Sequence, residues 1–418
     1  MSDQGQTICG TPVETLLFAA LIHRDSSAIA SLVGGDIALW SRACDRAHDA
    51  RCLPYLLQVL EASGAAPPTP VDPALRRRWM LRALAVQAEC LRLTRILSEA
   101  GIRHVFLKGA HLAATVYPAP WLRPLRDIDL LVAPDDVARA QALLLAHGGA
   151  MKRHAHKADK AIDPEAKHAA PVWSPERVIP VELHGHATDE GAGLCRASVA
   201  RLDAALWRDV MEVPLGDGAL PVPGPEAMFV HLVLHGIYDH ELNNGPLFLT
   251  DLVHLLERMP PDAGRVVAMA GDLGIMPGLA MTVSLLPEGT VGRNGLLAAL
   301  RAATGTAELP VLPEESAAAL LFQDSTARTE LRLSADLIAT GPLARLRLLA
   351  GKVFASRETM TDRWRMEGRT AAPPASTAAF RLWFVAARIR GMRRAVPATS
   401  GTRAHLMRLR ALRNGQGT

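Results

Sequence analysis

Along the first hundred residues apolar positions recur every three to four places, the period of helices with one buried face. Thr11-Pro12-Val13-Glu14 has the form of a capping box with proline at the first helical position, and it predicts a helix through VETLLFAALIHR. DIALWSRACDRAH and LPYLLQVLEA repeat the spacing, and GAAPPTPVDP (Gly64 to Pro73) breaks it as a loop. A long amphipathic helix is expected from about Pro73 to Ala100, with Leu81, Leu84, Ala88 and Leu91 on one face and Gly101 ending it.

From Ile102 the period changes. IRHVFLKG is a short β-branched and apolar run that stops at Gly109, AHLAATVY resumes helical spacing until Pro118, and RDIDLLV predicts a second strand. PDDVARAQALLLAHGG has proline and acids in its first turn and glycine past its end, as a helix dipole favours. A polar, His-rich stretch (Lys152 to Lys167) leads to KHAAPVW and RVIPVELHGH, readable as a hairpin across SPE. Beyond Leu194 the chain returns to helices, including GPEAMFVHLVLHGIYDH and LFLTDLVHLLERM, and AAPPAS (Ala371 to Ser376) is a linker before AAFRLWFVAARIRGMRRAV. The expectation is an α+β chain: a helical region over 1–100, a small mixed β-sheet core over 101–190, a second helical region over 191–341 and a basic region over 342–418.

Composition narrows the class. At 418 residues and 49% hydrophobic the chain exceeds one ordinary domain, and 4% aromatic content with abundant Ala, Leu and Arg favours helix. MSDQGQTICG shows no basic segment followed by an apolar one, and no uninterrupted apolar window reaches the roughly 18 residues of a membrane span, so a cytoplasmic location is expected. The cysteines (Cys9, Cys44, Cys52, Cys90, Cys195) are odd in number and unpaired in spacing, which argues against a disulfide framework and a zinc site. From Pro342 onward 16 Lys and Arg stand against 3 Asp and Glu, so the first 341 residues carry −9 of a total of +4. A basic end with Phe380, Trp383 and Phe384 among arginines suits single-stranded nucleic acid, an anionic membrane face or simple packing on the body.

The chemistry concentrates in LRPLRDIDLLVAPDD, Leu122 to Asp136. On a strand Asp127 and Asp129 point the same way and Ile128 and Leu130 the other. Two carboxylates this close repel unless water solvates them or a cation lies between, and a divalent metal is the economical answer. Upstream, FLKGA puts Gly109 where a strand turns into a helix, whose exposed N–H groups favour phosphate. Downstream, PVELHGH adds a third acid, Glu182. Glu182, His184 and His186 share a strand face, with His154, His156 and His168 nearby in sequence; a transition-metal site and a plain His-rich loop both fit. His231 and His235 share a helical face, with Asp251 on the next helix, which suits an acceptor pocket or an ordinary helix interface.

A strand-glycine-helix corner, a D-x-D on the next strand and an acid on a later one resemble the DNA polymerase β-type nucleotidyltransferase superfamily. Within it, AGIRHVFLKGAHLAATVYPAPWLRPLRDIDLLV, then VELHGH, HLVLHGIYDH and LTDLVHLL are similar to the uncharacterised nucleotidyltransferase family of bacteria, over about Trp40 to Glu257, with a fainter echo in VFASRETMTDRW. The resemblance implies two Mg²⁺ ions, with Mn²⁺ as a substitute, held by Asp127, Asp129 and Glu182, and a nucleoside triphosphate (ATP or another) as substrate. Gly109 would let the backbone approach the phosphates, and Arg123, which falls where the family pattern has arginine, would contact them; Arg126, where the pattern has none, is a further phosphate candidate. The superfamily's hydroxyl after this glycine is replaced by Ala110, and Lys108 is the substitute cation. His184, His231, His235 and Asp251 would face the acceptor, a peptide, protein or small molecule with a hydroxyl. Two alternatives stand beside transfer: a catalytically weak nucleotide-binding regulator or scaffold of a biosynthetic or toxin-antitoxin-like cluster, and a metal-dependent glycosyltransferase, which would place a larger nucleotide-sugar sheet domain before the motif.

Overall fold

A computed structural model describes residues 11–151, 169–322, 371–395 and 400–413, with the isolated positions 341, 357, 360, 361 and 364. The His-rich stretch, with His154, His156 and His168, and most of VFASRETMTDRW lie outside the described residues, as do the side chains of 388–403.

The helices begin with α1 (Val13–Phe18), which loosens into a π-helical turn over Ala19–His23, then α2 (Ser26–Gly34), α3 (Ile37–Asp49), α4 (Leu53–Ala62) and α5 (Pro73–Glu99). The expected capping box does not form: Pro12 is the N-cap of α1 and no side chain caps it. Asp25, Asp36 and Asp72 do cap, each accepting a backbone N–H from the first turn of α2, α3 and α5 respectively.

The sheet follows: β1 (His104–Phe106), α6 (Lys108–Thr115), β2 (Ile128–Val132), α7 (Val137–Ala146), β3 (Ala150–Met151), β4 (Val172–Trp173) and β5 (Pro180–His184). Its order is β1-β2-β5-β4-β3, mixed in sense: β1 runs antiparallel to β2, β2 parallel to β5, and β4 antiparallel to both neighbours. The hairpin expected around SPE is therefore present as β4–β5, with β4 shortened to two residues.

Helix α5 turns a different face inward than its sequence suggests. Leu81 and Leu84 are 60% and 61% exposed, whereas Val86, Cys90, Leu93 and Leu97 form the buried stripe that covers the sheet. Apolar residues on more than one side of this helix leave periodicity alone unable to choose between faces.

After the sheet come α8 (Arg196–Arg208) and a second hairpin, β6 (Met211–Leu215) with β7 (Gly218–Val222), in a region expected to be wholly helical. Gly216, at φ +57°, and Asp217 make its two-residue turn, so alternation and turn chemistry in MEVPLGDGALPV override helix spacing there. Then follow α9 (Pro225–Val233), continued by a π-helical segment over Leu234–Asp239, and α10 (Leu247–Arg258), α11 (Ala263–Leu273), α12 (Met276–Ser284), α13 (Arg293–Thr304) and α14 (Glu314–Leu321).

These later helices and α1–α4 share one hydrophobic core, which also takes in Leu406 and Leu409 of the last helix, while the sheet packs a core of its own with α5 and α7. At the C-terminal end lie α15 (Thr377–Ala395) and α16 (Ser400–Arg413). Phe380 and Phe384 of α15 are fully buried, with Met360 and Trp364, so these two rings are spent on packing rather than offered for base stacking. Among the described residues no helix is long and apolar enough to cross a membrane. The described residues ahead of Asp127 contain one three-residue strand, not the sheet domain that a nucleotide-sugar enzyme would require there.

Candidate active site

Parallel pairing of β2 with β5 sets Asp129 directly opposite Glu182. The alternating neighbours Ile128, Leu130, Val181 and Leu183 are buried in the sheet core, and this sends both acids to the other face. Asp127 sits one residue ahead of β2 rather than on it. It still lies close enough to Asp129 and Glu182 to feel both. Burial first, then repulsion from those two carboxylates, pushes its carboxyl up to about 6, against the pull of Lys108 and Arg51.

The corner between β1 and α6 forms because Leu107 donates its N–H to the Asp129 carbonyl (3.0 Å), ending strand pairing as the helix begins. Lys108 opens α6 with φ +47°, a left-handed conformation that costs a residue with a side chain about 1–2 kcal/mol. Its Nζ lies 2.9 Å from Asp129 Oδ1 and is buried there. Burial alone would lower the Lys108 ammonium and raise the Asp129 carboxyl. Their mutual attraction, with Asp127 and Asp239 near Lys108 and the His184 hydrogen bond at Asp129, reverses both shifts and holds Asp129 well below the usual carboxylate range.

His184, the last residue of β5, places Nε2 2.8 Å from the same Asp129 oxygen and 3.9 Å from Glu182. Among the described residues Asp129, Glu182 and His184 form the group able to hold a metal ion, each offering one atom, all within 4.8 Å of one another. His186 falls beyond the strand end and binds Asp203 of α8 at 2.7 Å, so it does not join them. The donor set fits a divalent cation: the Asp129 and Glu182 carboxylates oppose one another in register and His184 adds a ring nitrogen, while Asp127 falls outside this group of three.

Arg123 and Asp251, expected on the phosphate and acceptor sides, meet each other. The guanidinium makes two hydrogen bonds to the two Asp251 oxygens, 3.1 and 2.8 Å, and the Tyr117 hydroxyl donates to Oδ1 at 2.7 Å. All three are nearly closed to solvent. This gives Gly109 a demand of its own: a Cβ there would lie 2.5 Å from Arg123 Nη1 and 3.1 Å from Cζ. Arg126 is exposed on the segment leading to Asp127. His231 is buried in the helical core with its ring stacked 6.3 Å from that of His235, and His235 reaches towards Asp239 (3.6 Å).

Two residues near the site escape sequence reasoning. Asp239 ends the π-helical turn, accepts a hydrogen bond from the Thr188 hydroxyl (3.1 Å) and adds a negative charge beside Lys108; its only signal is the spacing of four from His235. Arg51 occupies the α3–α4 junction with φ +61° and lies within the electrostatic reach of Asp127 and Arg126. A helix end there ordinarily takes glycine, so an arginine in that place is the clue.

A family model described as an uncharacterised nucleotidyltransferase matches residues 37–288, more than half of the chain. The chain belongs to that family. No curated protein matches it. The matched stretch runs from α3 to just past α12, so as a member of this nucleotidyltransferase family the chain keeps Arg51, the whole sheet and Asp251 within the family unit. Membership implies a transferase acting on a nucleotide substrate.

Proposed function

We propose that the protein transfers a nucleotidyl group from a nucleoside triphosphate to a hydroxyl-bearing acceptor, in a reaction that depends on Mg²⁺. The supporting observation is the meeting of Asp129 and Glu182 on paired strands beside the α6 corner, with Asp127 one residue ahead of β2 and within electrostatic reach of both, in a chain of this family. Asp129 and Glu182 would hold the cation with Asp127, and His184 would steady Asp129. When bound, a divalent cation there neutralises phosphate charge and makes an acceptor hydroxyl more acidic. The acceptor oxygen bonds to the α-phosphorus, the bond from α-phosphorus to the β-bridging oxygen breaks, and its electron pair departs with pyrophosphate. The hydroxyl proton passes to a carboxylate oxygen of Glu182, which is partly exposed. Lys108 keeps Asp129 ionised in the meantime.

The test is incubation of the purified protein with labelled ATP, GTP, CTP and UTP, Mg²⁺ and a cell lysate, with label on any macromolecule as the readout. Asp127→Asn is the informative variant, because it removes a carboxylate whose charge burial, and then repulsion, already disfavour. Transfer at undiminished rate by that variant would overturn the reading. One observation favours a second reading, a nucleotide-binding regulator: Lys108 already occupies an Asp129 oxygen, and Ala110 lacks the superfamily's hydroxyl. Tight nucleoside triphosphate binding with no pyrophosphate release against any acceptor would select it.

A further inference from the structure

Arg51 is held in an unusual way. At the end of α3 its N–H bonds to the His48 carbonyl (2.9 Å) and the Cys52 N–H bonds to that of Ala47 (2.8 Å), so the helix closure fixes the backbone of Arg51 in the left-handed region. Glycine adopts that geometry without steric cost, and an arginine does not. The side-chain Nε of Arg51 is buried and has no hydrogen-bond partner among the described residues. The cations around it make this worse: Arg123 and Arg126 both repel it, and of the nearby acids Asp251 is already engaged by Arg123 through two bonds. Asp127 is the other acid in reach, and it belongs to the cluster already described.

A second unsatisfied group meets the same junction. A Cβ on Gly245 would touch the Ala50 carbonyl at 3.4 Å, so the loop that follows the π-helical turn lies against the residue preceding Arg51. In that loop Asn244 Oδ1 is buried with no partner among the described residues. Side-chain amides offer an acceptor at one end and donors at the other. A guanidinium with an unused N–H and a second guanidinium exposed on the segment before Asp127 suit a ligand rich in anionic oxygens, and the idle Asn244 oxygen, an acceptor, suits a hydroxyl on the same ligand.

We propose that Arg51, with Arg126, binds the β- and γ-phosphates of the nucleotide and stabilises them as they leave as pyrophosphate. This rests on the nucleotidyl-transfer reading. The helical region before the sheet then supplies part of the substrate site, while Arg123 stays tied to Asp251. As the bond from α-phosphorus to the bridging oxygen breaks, charge grows on the pyrophosphate oxygens that the Arg51 fork faces, and the guanidinium keeps all its protons throughout.

The experiment is calorimetric titration of the full-length protein with inorganic pyrophosphate and Mg²⁺, repeated on Arg51→Met. The expected result is at least a tenfold loss of pyrophosphate affinity with a melting temperature unchanged or higher, since a purely structural arginine would lower it on removal. Turnover should show the same loss as a raised KM for the triphosphate. Should Arg51→Met fold poorly, Arg51→Lys keeps the charge and loses the fork, and a several-fold weaker affinity is expected. Affinity within twofold of the unsubstituted protein in the folded variant overturns the proposal. Pyrophosphate binding that depends on Arg51 without nucleotide transfer supports the Arg51 site and removes the transferase reading; transfer unaffected by Arg51→Met does the reverse.

Discussion

Two buried charged clusters lie side by side in this protein and are built on opposite principles. Around Arg123 the charges close: one guanidinium, one carboxylate, two parallel hydrogen bonds and a tyrosine hydroxyl on the same acid. Around Asp129 they do not. Three carboxylates share a single buried lysine and a histidine, one of them is pushed up to about 6, and half-buried Arg51 stands near Asp127 with an Nε that has no hydrogen-bond partner among the described residues. A closed ion pair joining the segment ahead of β2 to α10 of the helical core reads as architecture. An unbalanced one on paired strands reads as a place prepared for something to bind.

The sharpest way to break this comparison is to delete one acid from each cluster. Asp251→Ala leaves Arg123 buried without its counter-ion and should destabilise the protein by about 3–5 kcal/mol, measured by denaturant unfolding. Asp127→Asn should reduce nucleotide transfer by about 10³-fold or more while stability holds or rises. If Asp251→Ala unfolds no more easily than the parent, the closed cluster is not structural.

Acidity sharpens the contrast next. The folded Asp127 carboxyl sits at about 6 against 3.8 in the unfolded chain, so the folded state binds this proton more tightly. Its contribution to stability is fully present below the unfolded value and is lost as pH rises through about 6, a swing of about 3 kcal/mol without metal. Asp129, held low, has the opposite sign and loses its contribution as pH falls below the unfolded carboxylate value. Subtracting the stability curve of Asp127→Asn from that of the parent isolates the first effect. Mg²⁺ should flatten the difference; a flat difference without Mg²⁺ would show that the acids are already neutralised.

Much of this arrangement is legible in the residues. The alternation in RDIDLLV and VELHGH places Asp129 and Glu182 on one face, and the strands pair to bring them opposite, because Ile128, Leu130, Val181 and Leu183 all demand burial on the other side. What local pattern does not reveal is partnership across long separations. Arg123 and Asp251 are 128 residues apart, and each alone suggests a ligand contact. Arg51 is hidden for a related reason: its meaning comes from a left-handed backbone and a missing partner, neither of which periodicity records. The β6–β7 hairpin was legible in its turn residues but masked by helical spacing on both sides.

Gly109 tests how tightly the closed cluster is packed. A methyl group at that position meets Arg123 Nη1, Arg123 Cζ and the Leu125 side chain, at 2.5, 3.1 and 3.3 Å. The guanidinium has little room to retreat because Asp251 holds it with two bonds. Gly109→Ala should therefore cost about 1–3 kcal/mol of stability by overpacking. A neutral outcome would mean that the ion pair tolerates displacement, and the two clusters would differ less than their geometry suggests.

The smallest effect is expected at Arg126, and it bears on the open cluster alone. Its guanidinium is exposed, so substitution by methionine should leave stability within about 0.5 kcal/mol of the parent. Its attraction to the phosphates is open to solvent and would be screened by salt, with a Debye length of about 8–10 Å at physiological ionic strength. Arg126→Met should raise the KM for the nucleotide about two- to fivefold at low salt, and the difference should shrink as salt is added. The half-buried Arg51 is screened less, so the effect of Arg51→Met should persist at high salt. Equal salt sensitivity of the two variants would place both arginines in the same solvated rim and remove the distinction between them.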